Sequence, residues 1–205
     1  MGFKGRIAWR FVAEKINVIA LRAMVASIIA IQLSSGRTPQ EITQYLKNLG
    51  RLMGEWIYRH YLEIGKASST IADWGKNFNL GFKFFTGKEF DDIWYEVSSD
   101  GKHVELHMRI YDNPASRGLQ SPSREVKIDS WVAGIFEWIE QMRMEEWGAE
   151  ELTVDEIKCR AAGDPYCEFV FKVRLGDKGA KGVLHVLKPG TTIVKGSKKP
   201  RVKSK

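Results

Sequence analysis

The chain has 205 residues, with 32 basic and 25 acidic side chains and an apolar fraction of 43%. Its 7 tryptophans, 6 tyrosines and 10 phenylalanines are enough for a packed core, which excludes wholesale disorder. Because 2 cysteines cannot build a disulfide scaffold, we expect reduced thiols and a cytoplasmic protein. Nine basic residues and no acid lie from residue 178 onward, so the net charge of +7 belongs to the C-terminal end. We expect one domain over residues 1–175 and a basic tail over 176–205.

The first long apolar segment runs from Ile16 to Leu33 and follows a basic stretch. Arg22 lies near its middle, and a charge at bilayer depth costs roughly 2.5–3.5 kcal/mol. The segment therefore indicates a helix buried within the protein or at a subunit interface, and we expect no membrane span.

The second helix has the clearest boundary signals. Thr38, Pro39 and Glu41 provide an N-cap, a proline at the first helical position and a capping-box acid. Gly50 and Gly54 lie one turn apart inside this helix, which favours close approach of another element at that face. Residues 67–90 predict a short helix and an irregular entry to a sheet, and an amphipathic helix is expected over about 130–147, closed by Gly148.

The strands follow a period of two. Residues 93–97 alternate, Asp100-Gly101 predicts a hairpin turn, and residues 103–110 form the return strand. A final pair of strands is expected at roughly 152–160 and 166–174. These elements predict an α/β fold of the α+β type, in which an antiparallel sheet packs against a helical layer.

The final hairpin carries a candidate site made of Glu156, Cys159 and Cys167. The alternation changes phase between Val154 and Cys159, which predicts a β-bulge at 155–156 that turns Glu156 toward the cysteines. A five-residue loop would set Cys159 opposite Cys167. Three interpretations remain open: a zinc or other soft-metal site, a disulfide, or two reduced thiols in the core.

Other clusters are less specific. His103, Glu105 and His107 share one face of a strand, where the two histidines lie too far apart to chelate one metal, and we expect a solvated face. We identify no catalytic residues, phosphate-binding glycine loop or dinucleotide fingerprint. Six aromatic residues either line a ligand cavity or form ordinary core: Trp74, Phe78, Phe82, Trp131, Phe136 and Trp138.

The C-terminal tail offers two interpretations. Its middle could form one more hairpin, whereas its end is too charged to fold alone. It either attracts nucleic acid or an anionic surface, or serves as a solubilising end. The candidate polyanion-binding residues are Lys195, Lys198, Lys199, Arg201, Lys203 and Lys205.

The stretch from Glu156 to Phe169, with an E-x-x-C strand, a G-D turn and a C-x-F strand, resembles the closing signature of the 4-vinyl reductase, or hydrocarbon-binding, domain family. Upstream, 132–134 resembles the family's small-residue helix start. The resemblance implies the fold of TRAPP vesicle-tethering subunits, usually as a homodimer, and a cavity for a small hydrophobic ligand. It also implies a zinc site in which Glu156, Cys159 and Cys167 match three ligands. The family's upstream cysteine would fall near Ala133 and is absent, so water, ligand or a residue such as Asp129 would have to complete the site.

Three functions follow as expectations. The first is a dimeric protein that binds a small hydrophobic or aromatic ligand beside a zinc ion. The second is a reductase or accessory factor acting on a tetrapyrrole vinyl group. The third is a TRAPP-like interaction protein whose tail meets a polyanion.

Overall fold

The computed structural model describes residues 3–59 and 71–196. This part of the chain contains six α-helices and five strands. The helices are α1 (Phe3–Ser34), α2 (Pro39–Ile57), α3 (Trp74–Thr86), α4 (Ser130–Gln141), α5 (Met144–Trp147) and α6 (Asp177–Val186). The strands are β1 (Asp92–Val97), β2 (His103–Ile110), β3 (Ala149–Lys158), β4 (Cys167–Leu175) and β5 (Gly190–Lys195).

The strands form one antiparallel sheet in the order β3-β4-β2-β1-β5. Its inner face carries the alternating apolar residues, such as Val104 and Leu106 of β2 and Phe169 and Phe171 of β4, all of them buried. These side chains and the buried faces of the helices form one core. The predicted α+β fold, with a helical layer on an antiparallel sheet, is confirmed.

Helix α1 contains the apolar segment in which sequence predicted a helix. Val25 and Ile29 are buried, whereas Ile19 and Ile31 remain 62% and 59% exposed. Arg22 donates to the carbonyl oxygen of Pro114, which ties the helix to the loop that follows β2. Among the described residues, no helix is long and apolar enough to cross a membrane.

Helices α2 and α4 are in backbone contact. The Thr38–Glu41 capping box starts α2 as predicted. Gly50 faces the carbonyl group of Trp131, and Gly134 faces the carbonyl group of Lys47. A methyl group on either glycine would overlap backbone atoms of the opposite helix. The close approach expected at the glycines of α2 is therefore confirmed.

A buried carboxylate reinforces this contact. Glu137 of α4 is 5% exposed and pairs with Lys47, at 2.8 Å, and with Arg51, both from α2. The same carboxylate accepts a hydrogen bond of 2.8 Å from the backbone N–H of Val154 in β3. One side chain thus joins two helices and the sheet, and a buried charge with these partners is far less costly than an isolated one.

Two helix predictions need correction. The short helix predicted within 67–90 is present but covers 74–86, so less of this segment is irregular than expected. Trp74, Phe78 and Phe82 recur every four residues and bury one face of it. The helix predicted over 130–147 is interrupted at 142–143, where α4 ends and the short α5 begins. Gly148, in the left-handed conformation, closes α5 as expected.

The segment predicted to be a C-terminal tail does not have the structure expected from its sequence. In place of a hairpin, residues 177–186 form α6, and 190–195 form β5, the edge strand beside β1. Gly179, Ala180 and Val183 give α6 a buried face at helical spacing, and this packing outweighs the low helix propensity of its glycines. The sheet therefore extends past the boundary predicted at residue 175.

We predict that Gly50→Ala strongly destabilises the protein, because the added methyl group would force α2 and α4 apart and loosen the core between them. Chemical denaturation should show a loss of roughly 2 kcal/mol or more in the free energy of unfolding. Gly81→Ala is the matched control, since no described atom lies within 4 Å of its added methyl. That variant should be neutral or stabilised by up to about 1 kcal/mol. Equal stabilities of the two variants would contradict the close contact.

We predict a pH dependence from Glu140, a 6% exposed residue of α4 whose pKa burial raises to about 8. The unfolded chain ionises this group near 4.5, so its stabilising contribution is complete below that pH and is lost as the pH rises through about 8. Relative to Glu140→Gln, the wild type should therefore lose stability by up to about 1.4 kcal/mol per pH unit across this window. Thermal denaturation from pH 5 to 8 measures the difference. The exposed Glu145→Gln is the control, and parallel curves for wild type and Glu140→Gln would refute the prediction.

Candidate metal centre

The structure brings four potential metal ligands together beneath the end of the sheet. The predicted residues Glu156, Cys159 and Cys167 are buried, and Asp129 joins them with an exposure of 0%. One ligand atom each from Asp129, Glu156 and Cys159 lies within 4.8 Å of the others. The Cys167 thiol lies 3.4 Å from Asp129 Oδ2 and within hydrogen-bonding reach of the Cys159 sulfur.

A β-bulge positions Cys159, but at a different residue from the one predicted. Glu156 pairs with Phe169 and Lys158 with Glu168, so the extra residue is Ile157 rather than 155–156. Glu156 points inward because it continues the alternation of β3, not because the bulge turns it. The bulge instead brings Cys159 onto the inner face, at the point where the chain leaves β3.

Asp129 reaches the centre from the N-terminus of α4. It occupies the N-cap position but makes no side-chain capping bond. Its Oδ2 instead accepts hydrogen bonds from Asn113 Nδ2 at 2.8 Å and from Ser116 Oγ at 2.6 Å. Asp129 lies one helical turn before Ala133, near which the resemblance places a cysteine. Both positions therefore lie on the same face of α4, and the Asp129 side chain reaches the centre from that face.

Three carboxylate oxygens of the centre lack hydrogen bonds. Within the described part of the chain, Asp129 Oδ1 and both oxygens of Glu156 are buried without a partner. Burial raises the pKa of Asp129 to about 7 and raises that of Glu156 well above its ordinary value. Because buried polar groups are nearly always satisfied in proteins, these oxygens point to a missing partner.

The two thiols shift each other's pKa in opposite directions. The neighbouring Cys167 thiol, followed by the nearby Glu156 carboxyl group and the backbone at Ile128 and Ala162, lowers the pKa of Cys159 to about 5. The neighbouring Cys159 thiol, followed by burial, raises the pKa of Cys167. Both cysteines are free thiols in this structure, so the disulfide interpretation is not the one observed. A sulfur that readily becomes a thiolate is a ready metal ligand.

The donor set suits zinc. Two sulfurs and two carboxylate groups match the borderline character of Zn²⁺, which accepts both donor types in a four-ligand site. The unpartnered carboxylate oxygens are the atoms that such an ion would satisfy. Asn113 and Ser116 would orient the Asp129 ligand from outside the centre, as metal-bound carboxylates commonly require.

Sequence reasoning did not identify Asn113 and Ser116. Both lie in the loop between β2 and α4. The spacing of Asn113 and Ser116 from Asp129 matches no recognised motif. Their contact with Asp129 depends on how the loop folds over the end of the sheet. The weak available signal was the N-P pair at 113–114, which marks a turn.

The aromatic residues predicted to line a cavity lie in the core. Five of them are buried, and Trp138 is half-buried against Tyr58. Phe78 contacts Phe136 and Phe171 with ring centroids 4.9 Å and 4.6 Å apart. Two surface depressions of about 250 Å³ and 450 Å³ lie elsewhere, and neither is lined by any of the six. The rings pack against one another in the core, and no observation tests ligand binding, which stays a prediction.

Of the predicted polyanion-binding residues, only Lys195 lies within the described part of the chain. It belongs to β5 and pairs with Glu89 at 2.5 Å, so its charge is partly compensated. The other five, Lys198, Lys199, Arg201, Lys203 and Lys205, lie outside the described residues. Binding of nucleic acid or an anionic surface stays a prediction.

Comparison with known proteins supports the fold but not the sequence family. No protein-family model matches the chain, and no curated protein matches it in sequence. Membership of the 4-vinyl reductase family therefore stays a prediction. The chain is similar in structure to a trafficking protein particle complex subunit 3 from Naegleria fowleri, solved covalently bound to palmitic acid. The TM-score is 0.62 and the identity 18%, over 78% of this chain and 96% of the other. The predicted TRAPP-type fold is confirmed by this likeness.

Proposed function

We propose that the protein is a non-catalytic subunit of a protein assembly, and that it pairs with a second copy of itself through α1. The observation that carries this proposal is the apolar surface of that helix. Ile19, Met24, Ile31 and Leu33 are 62%, 41%, 59% and 43% exposed, although a helix of this composition is typically buried. Exposed apolar surface concentrated on one element is typical of an interaction site.

The charge pattern favours a second copy as the partner. Arg22 is the only charged residue between 16 and 36, and its guanidinium is held by the Pro114 carbonyl. In a two-fold interface the same surface meets itself, so any unpaired charge near the axis would face a like charge. The exposed face of α1 avoids that repulsion.

The solved neighbour supports an assembly role, since its name describes a subunit of a complex. The length of α1 is also adequate, because 32 helical residues extend for about 48 Å at 1.5 Å per residue. Two such helices, with further exposed apolar side chains such as the 66% exposed Leu52 of α2, could supply the roughly 800 Å² per partner of a stable interface.

We predict that Ile31→Glu converts a dimer into a monomer, because the interface would then bury two like charges without partners. Sedimentation equilibrium of the full chain measures the change, and circular dichroism checks that the variant remains folded. Leu80→Glu on α3 is the matched control, since Leu80 is 68% exposed on another helix. A wild-type monomer at high micromolar concentration, or a dimeric Ile31→Glu variant, would overturn the proposal.

We also propose that Asp129, Glu156, Cys159 and Cys167 hold a structural zinc ion. The proposal rests on the unpartnered oxygens of two buried carboxylates beside two thiols. Bound zinc would supply positive charge to a buried, acid-rich cluster. Two buried carboxylates that destabilise the fold without a partner would then stabilise it as metal ligands. The ion would tie α4 to the β3–β4 hairpin.

We predict that Asp129→Asn loses most of the tightly held zinc, because it removes one anionic ligand while keeping the size of the side chain. Elemental analysis after extensive dialysis should find about one zinc per wild-type chain and a small fraction of that in the variant. The control is Asp155→Asn, whose half-exposed carboxylate lies next to Glu156 but pairs with Lys47. Metal-free wild-type protein with unchanged thermal stability would refute the zinc centre.

Reduction of a tetrapyrrole vinyl group stays a prediction that rests on the resemblance alone. Binding of a small hydrophobic molecule has one further support, the palmitic acid of the structural neighbour. In this chain, the two cysteines are buried within the candidate centre, so neither presents an exposed thiol for acylation.

A further inference from the structure

The outer face of the sheet, opposite the helices, carries a second cluster of potential metal ligands. It consists of Glu96 on β1 with Glu105 and His107 on β2. The sequence predicted a solvated face here, but only 12% of the His107 side chain is exposed. That prediction is wrong for His107 because neighbouring strands contribute large side chains over it.

The imidazole of His107 is fixed from two directions. Its Nδ1 lies 3.1 Å from Glu168 Oε1, and Glu168 is a 4% exposed residue of β4. Arg109 donates two hydrogen bonds, of 3.0 Å and 2.8 Å, to the other oxygen of Glu168 and so keeps that carboxylate ionised and in place. The Trp94 ring stacks on the imidazole with centroids 4.6 Å apart and planes 10° apart.

These contacts leave the second nitrogen of His107 available. An ionised carboxylate can only accept, so Nδ1 is the nitrogen that carries the proton, and in that tautomer Nε2 has a lone pair. Among the described residues, this buried Nε2 has no hydrogen-bond partner. Histidine ligands in proteins commonly donate their other ring N–H to a carboxylate in this way, which fixes the tautomer and the ring orientation.

Two carboxylates lie close to this nitrogen. Glu105 Oε2 lies 3.3 Å from Nε2, and Glu96 Oε1 lies 3.9 Å from it. Glu96 and Glu105 are directly opposite each other in the β1–β2 register, where like charges destabilise a sheet. A cation between them would relieve that repulsion, and their exposed fractions of 53% and 42% leave it open to solvent.

We propose that Glu96, Glu105 and His107 form a second metal site that takes an exchangeable divalent transition-metal ion such as Zn²⁺. One imidazole nitrogen and two carboxylates match this class of ion, and the exposed side leaves coordination positions for water. Glu168 is a positioning residue that orients the imidazole. The site is separate from the inner centre, which lies on the opposite face of the sheet and contains thiols.

Calorimetric titration of the zinc-loaded full chain with Zn²⁺ tests the proposal. The wild type should bind one further equivalent, and His107→Gln and Glu105→Gln should weaken that binding at least tenfold. His103→Gln is the matched control, because His103 is an exposed histidine of the same strand. Asp129→Asn, which alters only the inner centre, should retain the second site.

Cobalt quenching of tryptophan fluorescence locates the ion. Added Co²⁺ should quench the wild type through Trp94, and the quenching should be lost in Trp94→Phe and in Glu105→Gln. No further equivalent in the wild type, or equal binding by His107→Gln and His103→Gln, would overturn the proposal and leave Nε2 as a protonation site paired with the two acids.

Discussion

The contact between α2 and α4 determines where the other elements can lie. Gly50 and Gly134 let the two helix backbones touch, so the axes approach more closely than larger side chains allow. Glu137 then reaches both basic residues of α2 and the backbone of β3 from one position. With α4 fixed against α2 at one side and β3 at the other, its N-cap residue, Asp129, is held over the end of the sheet.

The inner centre is thus a consequence of packing as much as of its own residues. Asp129 is delivered by α4, Glu156 by the regular alternation of β3, and Cys159 by the bulge at Ile157. Elements that are distant in sequence converge on one acidic, buried volume in which a charge without a counter-ion is costly. The raised pKa of both carboxyl groups expresses this cost. An ion here would therefore link folding to metal binding.

The sequence predicted features whose signals are local. The capping box at Thr38, the glycines of α2 and the grouping of Glu156 with the two cysteines each lie within one short segment. Contacts that depend on strand register could not be predicted in this way. His107 and Glu168 are 61 residues apart, and they meet only because β2 pairs with β4. The predicted position of the bulge, 155–156, was too early in the chain. Alternation of apolar residues shows that the phase changes between Val154 and Cys159, but it does not show at which residue the extra position lies. Helix α6 was missed because its glycines favour a turn until packing against the core is counted.

Strand β4 begins with two adjacent residues that serve opposite faces, since Cys167 enters the inner centre and Glu168 holds His107 on the outer one. Side chains in a strand alternate, so a shift of one residue would exchange the two faces. A thiol would then face solvent and an ionised carboxylate the core. The length of the loop between Cys159 and Cys167 is consequently constrained from both sides of the sheet at once. During evolution of this chain, substitutions in that loop would be tolerated far more readily than a single-residue insertion or deletion.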